Sequence, residues 1–215
     1  MAAKVYMEEV KNPALIGLTG VYCAGKNHVA ALLEKRGFEV LDVDKLGHRA
    51  IEAEKEAITA RFGSDILAPD GSVDRQLLGR KVFGRPGELA ALEGIVHPVV
   101  QTMTTAWINE RAGKTRIINA ALLHRSIAFA TLDSIILVTA PFLTRLLRAK
   151  KRDGLSFKEL FKRFRSQKDF SSQYLSRKSD IHIVENRGYC AFFSRFTQKR
   201  LERRIDRLLL LLEKH

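Results

Sequence analysis

The sequence predicts an α/β fold built on a mostly parallel, five-stranded sheet. Three observations lead there. Short apolar runs alternate with helical stretches, the first run opens straight into a glycine-bounded loop and a helix, and a second run follows within one strand–helix–strand length. With 215 residues, 46% of them hydrophobic, the chain can bury one such core.

Residues 15–18, LIGL, read as a buried first strand. The loop from Gly20 to Gly25 follows. A helix over 26–36 then places Val29, Ala30, Leu32 and Leu33 at packing spacing, and Gly37 stops it. The second strand is 38–41, with Asp42 and Asp44 at or just past its C-terminal end. In an open parallel sheet ligands gather beyond the C-terminal strand ends, so either acid could meet a reacting hydroxyl. Asp42 suits equally well as the cap of a helix opening near Lys45.

From 45 to 112 the pattern is helical with short breaks. Phe62-Gly63 closes one helix, Asp70-Gly71 marks a turn, Asp74 caps the next helix, and Pro86 and His97-Pro98 interrupt the remainder. Such an insertion suits recognition of a large substrate. His97, polar among Ile95, Val96, Val99 and Val100, fits a hydrogen-bonded core or cap residue better than a catalyst. The third and fourth strands are 115–119 and 134–138, the latter (SIILV) β-branched enough to be buried on both faces. Pro141 opens a helix carrying Arg145, Arg148 and Arg152, and Ser156 with Glu159 makes a capping box for a second basic helix through Arg165. Residues 181–184 form the last strand and 185–188 a turn. A final helix from about Ala191 lines up Leu201, Ile205, Leu208, Leu209 and Leu212, as core or as a dimer contact.

Thirty-seven Lys and Arg against twenty-four Asp and Glu give a net charge of +13, so the partner is anionic: a nucleotide, a phosphorylated metabolite, nucleic acid or an acidic surface. Between Arg145 and Lys178 there are twelve basic and three acidic residues, and arginines four apart share a helical face that can clamp phosphate. The two cysteines, Cys23 and Cys190, have no metal-ligand spacing, which points to a reducing compartment. The N-terminal stretch has no apolar run of signal-peptide length, and Leu208 to Leu212 is far too short to span a bilayer; a cytoplasmic protein with no membrane partner is expected.

The chemistry sits in the first loop. Gly20, four residues, then Gly25-Lys26 meets the Walker A spacing, in which amides at a helix start cradle phosphate and the lysine adds a full charge. The next position normally supplies Ser or Thr to Mg²⁺ and is Asn27 here. Tyr22 and Cys23 are bulkier than such loops usually carry. The bland alternative is a tight strand-to-helix turn without a ligand.

From Leu15 to Gly188 the order of features resembles the dephospho-coenzyme A kinase family. The resemblance rests on Ile16-Gly17-Leu18-Thr19-Gly20 with the altered loop 23–28, on Asp42-Val43-Asp44 with Lys45 and His48, and on Arg61-Phe62-Gly63, Asp70-Gly71, Asp74-Arg75, Val82-Phe83 and His97-Pro98. It continues through Arg152-Asp153-Gly154-Leu155-Ser156 as a lid motif, Gln167, and Glu185-Asn186 with Gly188. The resemblance implies a three-layer P-loop kinase fold in one domain, with core 14–44, 113–148 and 178–215, a substrate-binding insertion 45–112 and a lid 149–177. It implies phosphorylation of the ribose 3′-hydroxyl of dephospho-coenzyme A by ATP with Mg²⁺, the last step of coenzyme A synthesis.

Carried over to this chain, Gly20, Cys23, Ala24, Gly25, Lys26, Asn27, His28 and Asn186 bind ATP, and Asn27 and Asp42 serve the metal. Asp42, Asp44 and His97 meet the acceptor, with Asp44 taking its proton. Lys26, Arg148 and Arg152 meet the phosphoryl charge, the arginines closing from the lid. The chain departs from the family pattern at Asn27 and His28, at Ala121-Leu122-Leu123 where Pro-Leu-Leu is usual, and at Arg125 where an acid is common. An amide oxygen remains a serviceable ligand for a hard cation. The rival readings are another P-loop small-molecule or nucleotide kinase, decided by the insertion, and a non-catalytic relative that binds nucleic acid, which is not the expected partner here. Oligomeric state is not readable.

Overall fold

A computed structural model describes residues 14–165, 170, 174, 180–188 and 194–212. Gln167, Lys178, Cys190 and Ala191, all used in the sequence reading, lie outside the described residues. The helices are α1 (Lys26–Glu34), α2 (Val43–Ala53), α3 (Lys55–Phe62), α4 (Arg75–Val82), α5 (Pro86–Glu110), α6 (Phe142–Asp153), α7 (Phe157–Arg165) and α8 (Ser194–Leu212). The strands are β1 (Leu15–Gly20), β2 (Glu39–Asp42), β3 (Arg116–Asn119), β4 (Ser134–Thr139) and β5 (Asp180–Glu185). The chain divides into two compact units, one of residues 1–41 with 111–215 and one of residues 42–110.

The first unit is an α/β sheet of five strands in the order β2-β3-β1-β4-β5, with β1 parallel to both β3 and β4, and β4 parallel to β5. The central strands are apolar throughout because they are buried on both faces: Ile16, Leu18, Ile117, Ile118, Ile135 and Ile136 are all at most 1% exposed. Gly17 sits among them for want of room, since a Cβ there would stand 2.5 and 2.7 Å from the Leu123 and Leu132 side chains. Gly37, in the left-handed region, ends the first helical stretch as its sequence position suggests.

Helix α8 buries Leu201, Ile205, Leu208 and Leu209 in one cluster with Ile16, Leu18, Val29, Leu33 and Val138. Arg36 donates to Asp206 at 2.8 Å beside it. The leucine stripe is therefore core packing within the unit.

The second unit is helical, as the periodicity over 45–112 requires. Its core gathers Ala50, Ile58, Phe62, Ile66, Val73, Leu78, Val82 and Val96. Asp74 caps α4 by accepting from the amides of Gln76 at 2.8 Å and Leu77 at 3.2 Å. One expectation fails here. Pro86 and His97-Pro98 do not interrupt the segment, which is a single helix α5 from Pro86 to Glu110 with Pro98 inside it. Proline at a helix start loses nothing, because the first amides lack partners anyway. At Pro98 the ring crowds the carbonyl four residues earlier, which belongs to Gly94, the residue whose backbone yields most readily.

Replacing Ile205 by Ala should lower stability by about 2–5 kcal/mol in urea denaturation while leaving the sedimentation coefficient unchanged. A change of assembly state at unchanged monomer stability would return the stripe to the dimer reading.

Candidate active site

The phosphate loop joins β1 to α1, and its shape follows from what packs beneath it. Gly25 has φ +92°, a left-handed conformation that glycine takes without strain, and a Cβ there would run into the amide of Asn186. Asn186, 5% exposed, follows β5 and donates Nδ2 to the carbonyl of Ala24 at 2.9 Å. Its Oδ1 accepts from Arg148 at 3.1 Å.

Arg148 donates further to the carbonyls of Cys23 (3.2 Å), Ala24 (2.8 Å), Asn186 (3.3 Å) and Gly188. One guanidinium on α6 thus gathers the carbonyl side of the loop, which turns the amide side of those peptides away from it. Burial pushes the Arg148 guanidinium below its ordinary value. The sequence reading gives Arg148 to the lid with Arg152; the structure builds it into the support of the loop instead.

Within the loop, the Ala24 amide donates to the Val21 carbonyl at 2.9 Å and the His28 amide to the Gly25 carbonyl at 3.0 Å. These two expected phosphate donors are engaged internally. Cys23 adopts φ +59°, unusual for a side-chain-bearing residue and a mark of local strain of the kind found in ligand-binding loops. Burial pushes its thiol up, and burial with the charge of Arg148 pushes His28 down, so both are neutral at neutral pH. Lys26 opens α1, where the helix dipole adds to its charge.

Asn27 stands exposed in the first turn, its Oδ1 accepting from Asn119 Nδ2 at 3.4 Å. Asn119 ends β3, is 2% exposed, and its own Oδ1 has no partner among the described residues. Sequence reasoning passed over it. A hard cation fits this corner, because carboxamide oxygens are neutral oxygen ligands and an orphaned buried carbonyl gains by acquiring one. Among the described residues no group of three or more His, Cys, Asp or Glu could hold a metal, so a cation here takes most of its ligands from phosphate and water.

Arg152, at the end of α6, forks onto the next residue, donating Nε to Asp153 Oδ1 at 2.7 Å and Nη2 to Oδ2 at 3.2 Å. Asp153 also accepts from Tyr22 Oη and from Arg163 Nη1 at 3.3 Å. The sequence flagged Tyr22 only as bulky and Asp153 only as part of the lid motif.

In the helical unit, Asp42 acts as the N-cap of α2, its Oδ1 accepting from the Lys45 amide at 3.2 Å. Asp44 is exposed in the first turn of the same helix. His97 is exposed on α5 rather than tucked into the core with Val96, which overturns its reading as a core histidine.

The comparisons with known proteins agree with one another. The dephospho-CoA kinase family model matches residues 14–190. A dephospho-CoA kinase of Thermus thermophilus is 35% identical over 180 residues, 84% of this chain and 86% of its own length. One from Shouchella clausii is 36% identical over 179 residues, 80% of this chain and 89% of its own. The crystal structure of TT1252 from Thermus thermophilus superposes with a TM-score of 0.74 at 32% identity, covering 94% of this chain and 98% of that one. The dephospho-CoA kinase from Campylobacter jejuni, at 22% identity and a TM-score of 0.59, shares the fold over 89% of this chain and 97% of that one.

Gly25→Ala should weaken ATP binding about tenfold or more in isothermal titration, since a left-handed alanine costs about 1–3 kcal/mol and its methyl displaces Asn186. The Arg152 guanidinium holds the Asp153 carboxyl below the 3.8 of a free aspartate. That pairing stabilises the fold fully above this pH, and its contribution disappears as pH falls through the lowered value. Asp153→Asn should accordingly flatten the acid limb of the melting temperature plotted against pH.

Proposed function

The chain belongs to the dephospho-CoA kinase family, and from that premise we propose that it transfers the γ-phosphoryl group of ATP to the ribose 3′-hydroxyl of dephospho-coenzyme A, releasing ADP and coenzyme A. The observation that carries the reading is the loop itself: a buried strand, a left-handed glycine seated on Asn186, and a lysine opening a helix. Phosphoryl transfer asks for alignment and charge neutralisation more than covalent chemistry, and this loop supplies both.

The amides of Cys23, Gly25 and Asn27 and the Lys26 ammonium receive the β- and γ-phosphates, because the amides of Ala24 and His28 are bonded within the loop. Arg148 and Asn186 fix that geometry from below. The Asn27 carboxamide, with Asn119 behind it, holds Mg²⁺. The ion supplies positive charge against the phosphate oxygens.

Asp44, in the place of the second aspartate of the family motif, takes the proton from the 3′-hydroxyl as its oxygen bonds to phosphorus and the bond to the ADP oxygen breaks. Arg152 meets the charge on the phosphoryl oxygens in transit. Asp42 is a helix cap first. Among the described residues no helix is long and apolar enough to cross a membrane, and a cytoplasmic site of action completes the proposal.

A coupled ADP-release assay tests this, with dephospho-coenzyme A and nucleoside monophosphates as competing acceptors. ADP release with dephospho-coenzyme A alone is the expected result. Release only with a nucleoside monophosphate assigns another P-loop kinase activity, and no release together with salt-sensitive binding of an oligonucleotide assigns the non-catalytic role. Asp44→Asn should cut turnover by about 10² or more at unchanged ATP affinity. Lys26→Ala should weaken ATP binding and turnover together.

A further inference from the structure

Tyr22 belongs to the phosphate loop, yet its hydroxyl turns to α6, where it donates to Asp153. Its ring is clasped on two sides, by the Arg152 guanidinium at 5.1 Å and by the edge of Phe164 on α7 at 5.2 Å. Arg163, also on α7, donates both to the Tyr22 oxygen at 3.5 Å and to Asp153 at 3.3 Å. The Asp153 side chain is only 15% exposed and receives Arg152, Arg163 and Tyr22 together, whereas the Arg152 side chain is 60% exposed. The carboxylate is the fixed member of this group and Arg152 the one able to leave.

An arginine offers phosphate the same fork it offers a carboxylate. Both the Nε and Nη2 hydrogens of Arg152 are on Asp153 here. Arg152 must therefore give up Asp153 before that fork can take a phosphoryl group, and a half-buried carboxylate stripped of its partner opposes the exchange. Tyr22 and Arg163 both bond Oδ2, so they stay in place when Arg152 departs.

We propose that Tyr22 is a positioning residue for phosphoryl transfer: by keeping Asp153 hydrogen-bonded from the phosphate loop, it lets Arg152 exchange the carboxylate for the migrating phosphoryl group. The proposal rests on the reading that Arg152 meets that group. The face of the Tyr22 ring gives the guanidinium a contact that does not depend on the carboxylate. A tyrosine at this point of the loop, which the sequence marks only as oversized, thereby acquires a function.

The test is a double-mutant cycle on the full chain, reading kcat and the KM for ATP separately, with melting temperatures alongside. Tyr22→Phe keeps the ring and removes the donor, and should lower kcat about three- to tenfold with KM for ATP unchanged, the size of one lost charge-assisted hydrogen bond. In an Asp153→Asn background the same substitution should change kcat less than about twofold, because the carboxylate that needed the donor is gone. Arg152→Lys, which lacks the fork, provides a second background with the same expectation should Asp153→Asn fold poorly. An unchanged kcat for Tyr22→Phe, or an equal loss in both backgrounds, overturns the proposal. Wild-type turnover in Arg152→Ala instead removes the role of Arg152 on which it stands.

Discussion

The Arg148 guanidinium is the contact on which the rest of the site depends. It binds the carbonyls of Cys23, Ala24, Asn186 and Gly188 at once. A peptide whose carbonyl is held on one side presents its amide on the other, so a single buried cation sets the direction of the loop's donors. The cost of burying that cation, visible in its lowered pKa, is offset by the number of oxygens it satisfies. Glycine at position 25 is the other half of the same arrangement, since only a residue without Cβ leaves room for the Asn186 amide that shares the load.

Electrostatics in the loop are quieter than the overall charge of +13 suggests. Cys23 and His28 are both kept neutral by burial, and the place of a metal-binding hydroxyl is taken by a carboxamide paired with a second carboxamide. Positive charge on the phosphates is thereby left to Lys26 and to whatever arginine arrives from α6. Arg152 is held in readiness by Asp153, whose strong grip raises the guanidinium pKa and lowers that of the carboxyl. The site therefore separates a fixed arginine, four residues earlier on the same helix, from an exchangeable one. The two lie on one face of α6, as the spacing says, but their surroundings give them different work.

Much of this was legible in the chain. The five apolar runs appear as strands within a residue or two of where periodicity puts them, because a segment buried on both faces must be apolar throughout. The Ser156–Glu159 capping box forms as read, with the Ser156 amide 2.9 Å from the Glu159 carboxylate and the Glu159 amide 3.3 Å from the Ser156 hydroxyl. Pro98 was misread, since a proline signal is local and the accommodation by Gly94 lies one turn away. His97 was misread with it: its apolar neighbours pack inward while it points outward, a matter of helical phase.

By itself the sequence determined the order of strands and helices, the loop with its lysine, the helix caps and the family. Each of these is written in residues close together, where spacing, glycine and proline conformations and capping chemistry act over a few positions. Only the tertiary structure decided which distant groups meet. Arg148 reaches a carbonyl 124 positions away, Asn186 one 162 away, and Tyr22 a carboxylate 131 away. No periodicity encodes such pairs, because the sheet order that brings β1, β4 and β5 side by side is set by the packing of the whole core.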